Sequence, residues 1–99
     1  MGRPGGEAMM EVRRLVITGR VQGVGFRYAM AAQARRLGVS GWVRNRRDGS
    51  VEAMIAGNPT QIEAMLAWSR KGPDLAWVDA VAVEPGSGEY SGFVYRATA

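Results

Sequence analysis

The order in which helical and strand-like patterns alternate along the chain limits its fold more than any other feature of the sequence. Apolar residues recur at helical spacing over residues 26–37. A second helix is predicted after Asn58, because Asn58 is a good N-cap, Pro59 suits the first helical position and Gln61 completes a capping box. The Gly-Pro pair at residues 72–73 ends this second helix.

Strand-like runs occupy the stretches around the two helices. Asp48-Gly49 is a strong hairpin signal between two of these runs. The order is β-α-β-β-α-β with a short extra strand, and the ferredoxin-like sandwich is the compact arrangement of that order. We therefore predict an α+β fold in which both helices cover one face of a mostly antiparallel sheet. The predicted strands cover residues 13–18, 40–45, 50–56, 76–84 and 93–97.

A single domain is expected from the length of 99 residues, which suffices for one hydrophobic core but not for two. Residues 1–10 contain Pro and three Gly without periodicity, so they are predicted to form a flexible tail before a domain of residues 11–99. Met1, Met9 and Met10 are all possible translation starts. No apolar run approaches the ~20 residues that span a bilayer, and no signal sequence is recognisable, so we expect a cytoplasmic protein without a membrane partner.

The absence of two residue types excludes much of enzyme chemistry. The chain contains no Cys and no His, which excludes disulfides, thiolate metal sites, Cys nucleophiles and every mechanism with a His general base. A zinc site built from carboxylates alone is disfavoured. We therefore predict no metal and no cofactor, and any chemistry must use Arg, Asn, carboxylates, hydroxyls and the backbone.

The chain is basic, with a net charge of +4 and a pI of about 10.3. This charge is compatible with nucleic acid, a membrane surface or a small anionic substrate. Lys71 is the only lysine among the 13 cationic residues. Arginine binds phosphate bidentately, but a GC-rich genome favours it as well, so its abundance decides nothing. RNA-recognition domains share the predicted fold but need aromatic residues on the central strands. Here those strands read RRLVIT and SVEAMIA, which argues against a nucleic-acid partner.

The segment GRVQGVGFR, residues 19–27, lies between the first strand and the first helix. Gly23 and Gly25 permit positive φ and close approach to a ligand, and successive amides at a helix N-terminus can cradle an anion. Arg27 opposes the helix dipole by a few tenths of a kcal/mol, whereas its attraction to an anion at 4 Å reaches ~4 kcal/mol before desolvation. Spacing alone leaves open an ordinary turn that needs its glycines only for its shape.

Asn45 ends the second predicted strand, just before the hairpin turn. The strands on either side of the first helix run parallel in a split βαβ unit, so Asn45 is expected at the same sheet edge as the glycine loop. An Asn amide has both donor and acceptor groups and can position a water molecule. Shaping the turn is the other role open to an Asn at this place.

These two motifs together resemble the signatures of the acylphosphatase family. RVQGVGFR is followed by GWVRN and then, at the family's spacing, by Gly49, Val51 and Gly57, and the resemblance extends over residues 12–96. It implies hydrolysis of small acyl phosphates to a carboxylate and inorganic phosphate, without a metal or a covalent intermediate. Larger carbamoyl-transfer maturation proteins carry similar domains, but this chain lacks their zinc-finger cysteines. We therefore expect a free-standing, monomeric enzyme.

The resemblance also implies a role for each residue that matches the family's motifs. Arg27 matches the arginine that binds the phosphoryl group, and Asn45 matches the asparagine that orients the attacking water. The substrate phosphate is thought to accept the proton of that water. The phosphate cradle corresponds to the backbone amides of Gln22, Gly23, Val24, Gly25 and Phe26.

The remaining conspicuous side chains are expected to serve the structure or the surface. The arginines around the hairpin turn favour a solvated strand end over substrate steering, and the tryptophans and most methionines favour packing. Glu52 and Glu63 show no pairing with a second carboxylate, so both are expected at the surface. These residues are Arg44, Arg46 and Arg47, then Trp42, Trp68 and Trp77, and finally Glu52 and Glu63.

Overall fold

The computed structural model describes residues 9–99, so the predicted tail of residues 1–10 lies almost wholly outside the described residues. Every predicted strand and helix is present, and β1 is two residues longer at each end than the sequence indicates. The elements are β1 (Glu11–Arg20), α1 (Phe26–Leu37), β2 (Ser40–Asn45), β3 (Val51–Gly57), α2 (Pro59–Lys71), β4 (Trp77–Pro85) and β5 (Phe93–Arg96).

The five strands form one sheet in the order β4-β1-β3-β2-β5. Three of the four pairings are antiparallel, and only β2 with β5 is parallel. Val51 at the start of β3 pairs with Ile17 of β1 on one side and with Asn45 of β2 on the other. The C-terminal ends of β1 and β2 therefore lie at one sheet edge, which confirms the predicted ferredoxin-like α+β fold.

The hydrophobic core lies between the sheet and the two helices. Ile17 and Ile55 from the sheet and Met30 and Met65 from the helices are fully buried. Burial of each such side chain stabilises the fold by about 1.5–3 kcal/mol relative to exposure. Within residues 9–99, neither helix has the length and apolar character needed to cross a membrane.

Glu52 corrects one of our expectations, because it is only 5% exposed rather than a surface residue. It lies on the central strand β3, on the sheet face opposite the helices, and it accepts hydrogen bonds from Arg14 Nε and Arg44 Nε, each at 2.7 Å. Burial alone would raise the pKa of Glu52, but these hydrogen bonds outweigh it and lower the pKa. The long arginine side chains from the flanking strands thus cover and neutralise the carboxylate. Glu63 is exposed, as expected.

The three tryptophans behave differently from one another. Trp68 packs edge-on against Phe26, with ring centroids 5.4 Å apart, as expected. Trp42 is half-buried beneath the guanidinium groups of Arg44 and Arg96, at 4.9 and 5.0 Å from its ring centroid. The packing expected of Trp77 is wrong, since this side chain is 72% exposed. It begins the edge strand β4 after a register shift, and its neighbour Val78 takes the core-facing position.

Candidate active site

The end of β1 and the loop that links it to α1 contain glycines of two kinds. Gly19 lies against the backbone of Trp77 and Asp79, where a Cβ atom would collide, so packing requires a glycine there. Gly23 and Gly25 have φ values of 75° and 76°, and a Cβ at either would meet nothing within 4 Å. These two glycines therefore serve the left-handed backbone conformation and leave the outer surface of the loop open.

The N-terminus of α1 begins directly at this loop. Its N-cap is Gly25, no side chain caps it, and its first turn contains no acidic residue. The amide of Ala29 donates to the carbonyl of Gly25 at 3.0 Å, which is the first bond of the helical ladder. The amides of residues 26–28 precede that bond and carry the positive end of the helix dipole. The arrangement suits an anion at this position.

A cleft of about 230 Å³ lies at the same sheet edge. Drug-sized ligands occupy pockets of roughly 300–1,000 Å³, so this cleft suits a smaller molecule. It brings Arg27 and Asn45 together with Gly23, Gly25 and Phe26, all of which the sequence singled out. Two tyrosines that the sequence reasoning missed complete it. The cleft is lined by Val21, Gly23, Gly25, Phe26, Arg27, Tyr28, Asn45 and Tyr95.

A hydrogen bond to strand β5 fixes the side chain of Arg27, which lines the cleft. Its Nη1 donates a hydrogen bond of 2.8 Å to the backbone carbonyl of Arg96. A guanidinium has five N–H donors in a planar fork, and this contact uses one of them. The carbonyl thus fixes the direction of the side chain while most of its donor capacity remains for a ligand.

Gln22 joins the loop to the turn that follows Asn45. Its side-chain amide donates to the carbonyls of Arg46 and Ser50, at 2.7 and 2.8 Å. The sequence assigned Gln22 a role only through its backbone amide, so its side-chain contribution was missed. These two bonds set the position of the glycine loop relative to Asn45. Val24 instead packs its side chain against the core.

The basic cluster around the hairpin turn divides between strand β2 and the turn itself. Arg44 lies on the face away from the helices, where it pairs with Glu52, so it is a structural residue. Arg46 lies 3.9 Å from the Asp48 carboxylate in the turn. The pKa of Asp48 is lowered mainly by hydrogen bonds from the hydroxyl and amide of Ser50. These contacts favour the solvated-turn interpretation.

Comparisons with known proteins agree with this geometry. The acylphosphatase family model matches residues 13–95. An acylphosphatase from Thiobacillus denitrificans is 52% identical over 88 residues, covering 89% of this chain and 99% of the relative. An acylphosphatase structure from Coxiella burnetii superimposes with a TM-score of 0.87 at 32% identity, covering 95% of this chain and all of the other.

The same fold also occurs inside a much larger protein. Full-length HypF, in a phosphate- and nucleotide-bound form, matches 91% of this chain with a TM-score of 0.83 at 27% identity, but this match covers only 12% of HypF. The curated relative, by contrast, is matched over nearly its whole length. The chain therefore belongs to the acylphosphatase family, whose enzymes hydrolyse acyl phosphates.

Proposed function

We propose that the chain hydrolyses small acyl phosphates without a metal, by direct attack of a water that Asn45 orients on a phosphate held by Arg27 and the amides of residues 22–27. One observation carries this proposal. Arg27 and Asn45, which lie 18 residues apart in sequence, line a single small cleft at the uncapped N-terminus of α1.

Phosphate binding follows from the charge and the donors at this end of the cleft. The dianionic phosphoryl group would accept hydrogen bonds from the loop amides and from the fork of Arg27. Arg27 near the positive end of a helix is electrostatically unfavourable until an anion arrives. A bound phosphate therefore relieves a repulsion already present in the unliganded protein.

The hydrolytic step would place the attacking water between Asn45 and the phosphorus atom. The water oxygen forms a new bond to phosphorus, while the bond from phosphorus to the acyl oxygen breaks and the carboxylate leaves with the electron pair. A phosphate oxygen takes the proton of the water, so no side-chain base is needed. Positioning and charge stabilisation then supply the rate enhancement, as is general in phosphoryl transfer.

The direct test is release of inorganic phosphate from benzoyl phosphate and from acetyl phosphate, each with excess EDTA. We expect turnover that EDTA leaves unchanged. Absence of turnover in folded protein would contradict the proposed function, and loss of turnover on EDTA treatment would contradict the metal-free mechanism. A monomeric state, a cytoplasmic location and the lack of a nucleic-acid partner stay predictions.

A further inference from the structure

Two tyrosines beside the cleft are exposed in a way that the fold does not require. Tyr28 in the first turn of α1 is 69% exposed and Tyr95 of β5 is 50% exposed, whereas Phe26 nearby is 2% exposed and belongs to the core. The two tyrosine rings nevertheless contact each other, with centroids 6.3 Å apart and planes tilted by 58°. Neither tyrosine belongs to the buried hydrophobic core.

Both tyrosines line the cleft that contains Arg27 and Asn45. Tyr28 follows Arg27 along the helix, and Tyr95 precedes Arg96, whose carbonyl holds the Arg27 guanidinium. The lining is therefore divided into two kinds of group: the glycine backbone, the guanidinium and the amide are polar, and the two tyrosines are aromatic.

An acyl phosphate has the same division, with a charged phosphoryl group at one end and a carbon chain or ring at the other. We propose that Tyr28 and Tyr95 form the acyl subsite and select acyl phosphates whose acyl group is aromatic over those with a short aliphatic group. This inference rests on the proposed function, because the phosphate must occupy the polar side for the acyl group to reach the tyrosines.

The size of the cleft and the geometry of the tyrosine pair favour a single aromatic ring. Aromatic rings attract one another at centroid distances of 4.5–7 Å in tilted or offset arrangements. Two rings tilted by 58° form an angled wall, against which a third ring can lie with its face or its edge. A methyl group such as that of acetyl phosphate offers the two rings much less contact surface than a phenyl ring does.

The test compares kcat/KM for benzoyl phosphate and acetyl phosphate in the full chain and in the variants Tyr28→Ala, Tyr95→Ala and the double variant. We expect the ratio of the two kcat/KM values to fall about tenfold in the double variant. The value for acetyl phosphate and the affinity for inorganic phosphate should fall much less, because both ligands depend mainly on Arg27 and the loop amides. Comparing this ratio between the wild type and a variant cancels the intrinsic difference in reactivity between the two substrates.

Two control variants separate the aromatic ring from other effects. Tyr28→Phe and Tyr95→Phe retain the rings and should retain the wild-type ratio. Tyr90 lies between β4 and β5 with its hydroxyl bonded to Ser87, away from the cleft, so Tyr90→Ala should also retain it. An unchanged ratio in the double variant, or an equal loss for both substrates, would overturn the acyl subsite alone. A wild-type chain that hydrolyses neither substrate would overturn the proposed function as well.

Discussion

The N-termini of the two helices differ in how their free backbone amides are satisfied. The amides of α2 are capped by side chains, whereas those of α1 are not. At α2, Asn58 accepts from the amide of Gln61 and the Gln61 side chain accepts from the amide of Asn58, each at 2.9 Å, and Pro59 occupies the first turn. At α1, the N-cap is Gly25 in the left-handed conformation, and no side chain caps the helix. We call the capped N-terminus of α2 the closed helix end and the uncapped N-terminus of α1 the open helix end.

The difference between these ends separates stability from function. A good N-cap side chain stabilises a helix by about 0.5–2 kcal/mol relative to alanine but by only a few tenths of a kcal/mol relative to glycine, and α1 forgoes this smaller gain. It adds Arg27 to the first turn, against the helix dipole. The missing cap and the arginine in the first turn both destabilise the unliganded protein, and both favour binding of an anion. Such a loss of stability in favour of function is common at functional sites.

The largest effect is expected from removing the positive charge at the open end. Arg27→Ala should lower kcat/KM for benzoyl phosphate by about 10³-fold, the lower range for an arginine that stabilises phosphoryl transfer. Inhibition by inorganic phosphate should weaken at the same time. Arg27→Lys should recover part of the phosphate affinity but little of the rate, since an ammonium lacks the planar fork. Steady-state kinetics of the three proteins checks this.

A matched control for Arg27 is an arginine at the end of the other helix. Arg70 is exposed in the last turn of α2 and does not line the cleft, so Arg70→Ala should leave the kinetics unchanged. If Arg70→Ala and Arg27→Ala slow the enzyme equally, net charge rather than the open helix end is responsible. That result would break the comparison between the two helices.

The next effect concerns Asn45, one of the two asparagines of the chain. Asn45→Ala should lower kcat by about 10²–10³-fold, as loss of one transition-state hydrogen-bonding group does in other hydrolases. The inhibition constant of phosphate should change little, because the loop and Arg27 hold the anion. Measuring kcat and the inhibition constant on one preparation checks both. A wild-type kcat in folded Asn45→Ala would remove Asn45 from the mechanism.

The other asparagine is Asn58. Its replacement should reduce stability but not activity, which is the opposite of what we expect for Asn45. Asn58→Ala removes the capping box of α2 and should lower the free energy of unfolding by about 1 kcal/mol. Its kcat and KM should stay at the wild-type values, because α2 takes no part in the cleft. Urea unfolding and phosphate-release kinetics measure the two quantities. Loss of activity with retained stability would show that the closed helix end also has a functional role.

The smallest effect is expected on the free energy of unfolding at acid pH. It involves neither helix N-terminus, because the first turns of both helices lack acidic residues. The pKa of Glu52 is lower in the folded protein than in the unfolded chain. Its contribution to stability is therefore complete above the unfolded pKa and is lost as the pH falls through the folded value. Its arginine partners are partly exposed, which limits the size of this contribution through screening.

Unfolding free energies measured from pH 6 downward, a range around the ordinary carboxyl pKa of ~4.3, check this expectation. Glu52→Gln should flatten part of the decline, and Glu63→Gln, at an exposed site, should not. Asp48, whose pKa is also lowered, retains its own contribution in both variants. A decline that Glu52→Gln leaves unchanged would mean that the buried ion pairs do not stabilise the fold.

The sequence was sufficient where a local pattern decides the outcome. Asn58, Pro59 and Gln61 act within one turn, and the Asp48-Gly49 hairpin is equally local, so both were predicted correctly. The placement of Asn45 beside the loop followed from the parallel relation of β1 and β2. The same argument brought Arg27 to that edge, but the roles of Arg27 and Asn45 in catalysis still await the kinetic tests.

Features that depend on strand register could not be read from the sequence. Glu52 is buried because Arg14 and Arg44 reach it from two different strands. Trp77 is exposed because a register shift between β1 and β4, which leaves Asp79 unpaired, gives the core position to Val78. The tyrosines of the cleft are in contact because β5 pairs with β2, which brings Tyr95 close to Tyr28 in α1. The sequence contains no spacing pattern that could predict a contact between positions 28 and 95.

The most direct test of the open helix end is a titration of the ¹⁵N-labelled protein with inorganic phosphate, followed by amide chemical shifts. We expect saturable shifts at the amides of residues 22–27 and none at residues 60–62 in the first turn of α2. Arg27→Ala should weaken or abolish the response. Shifts at α2 or at the Arg46–Arg47 turn instead, or shifts at residues 22–27 that do not saturate, would contradict the assignment of the α1 N-terminus as the phosphate cradle.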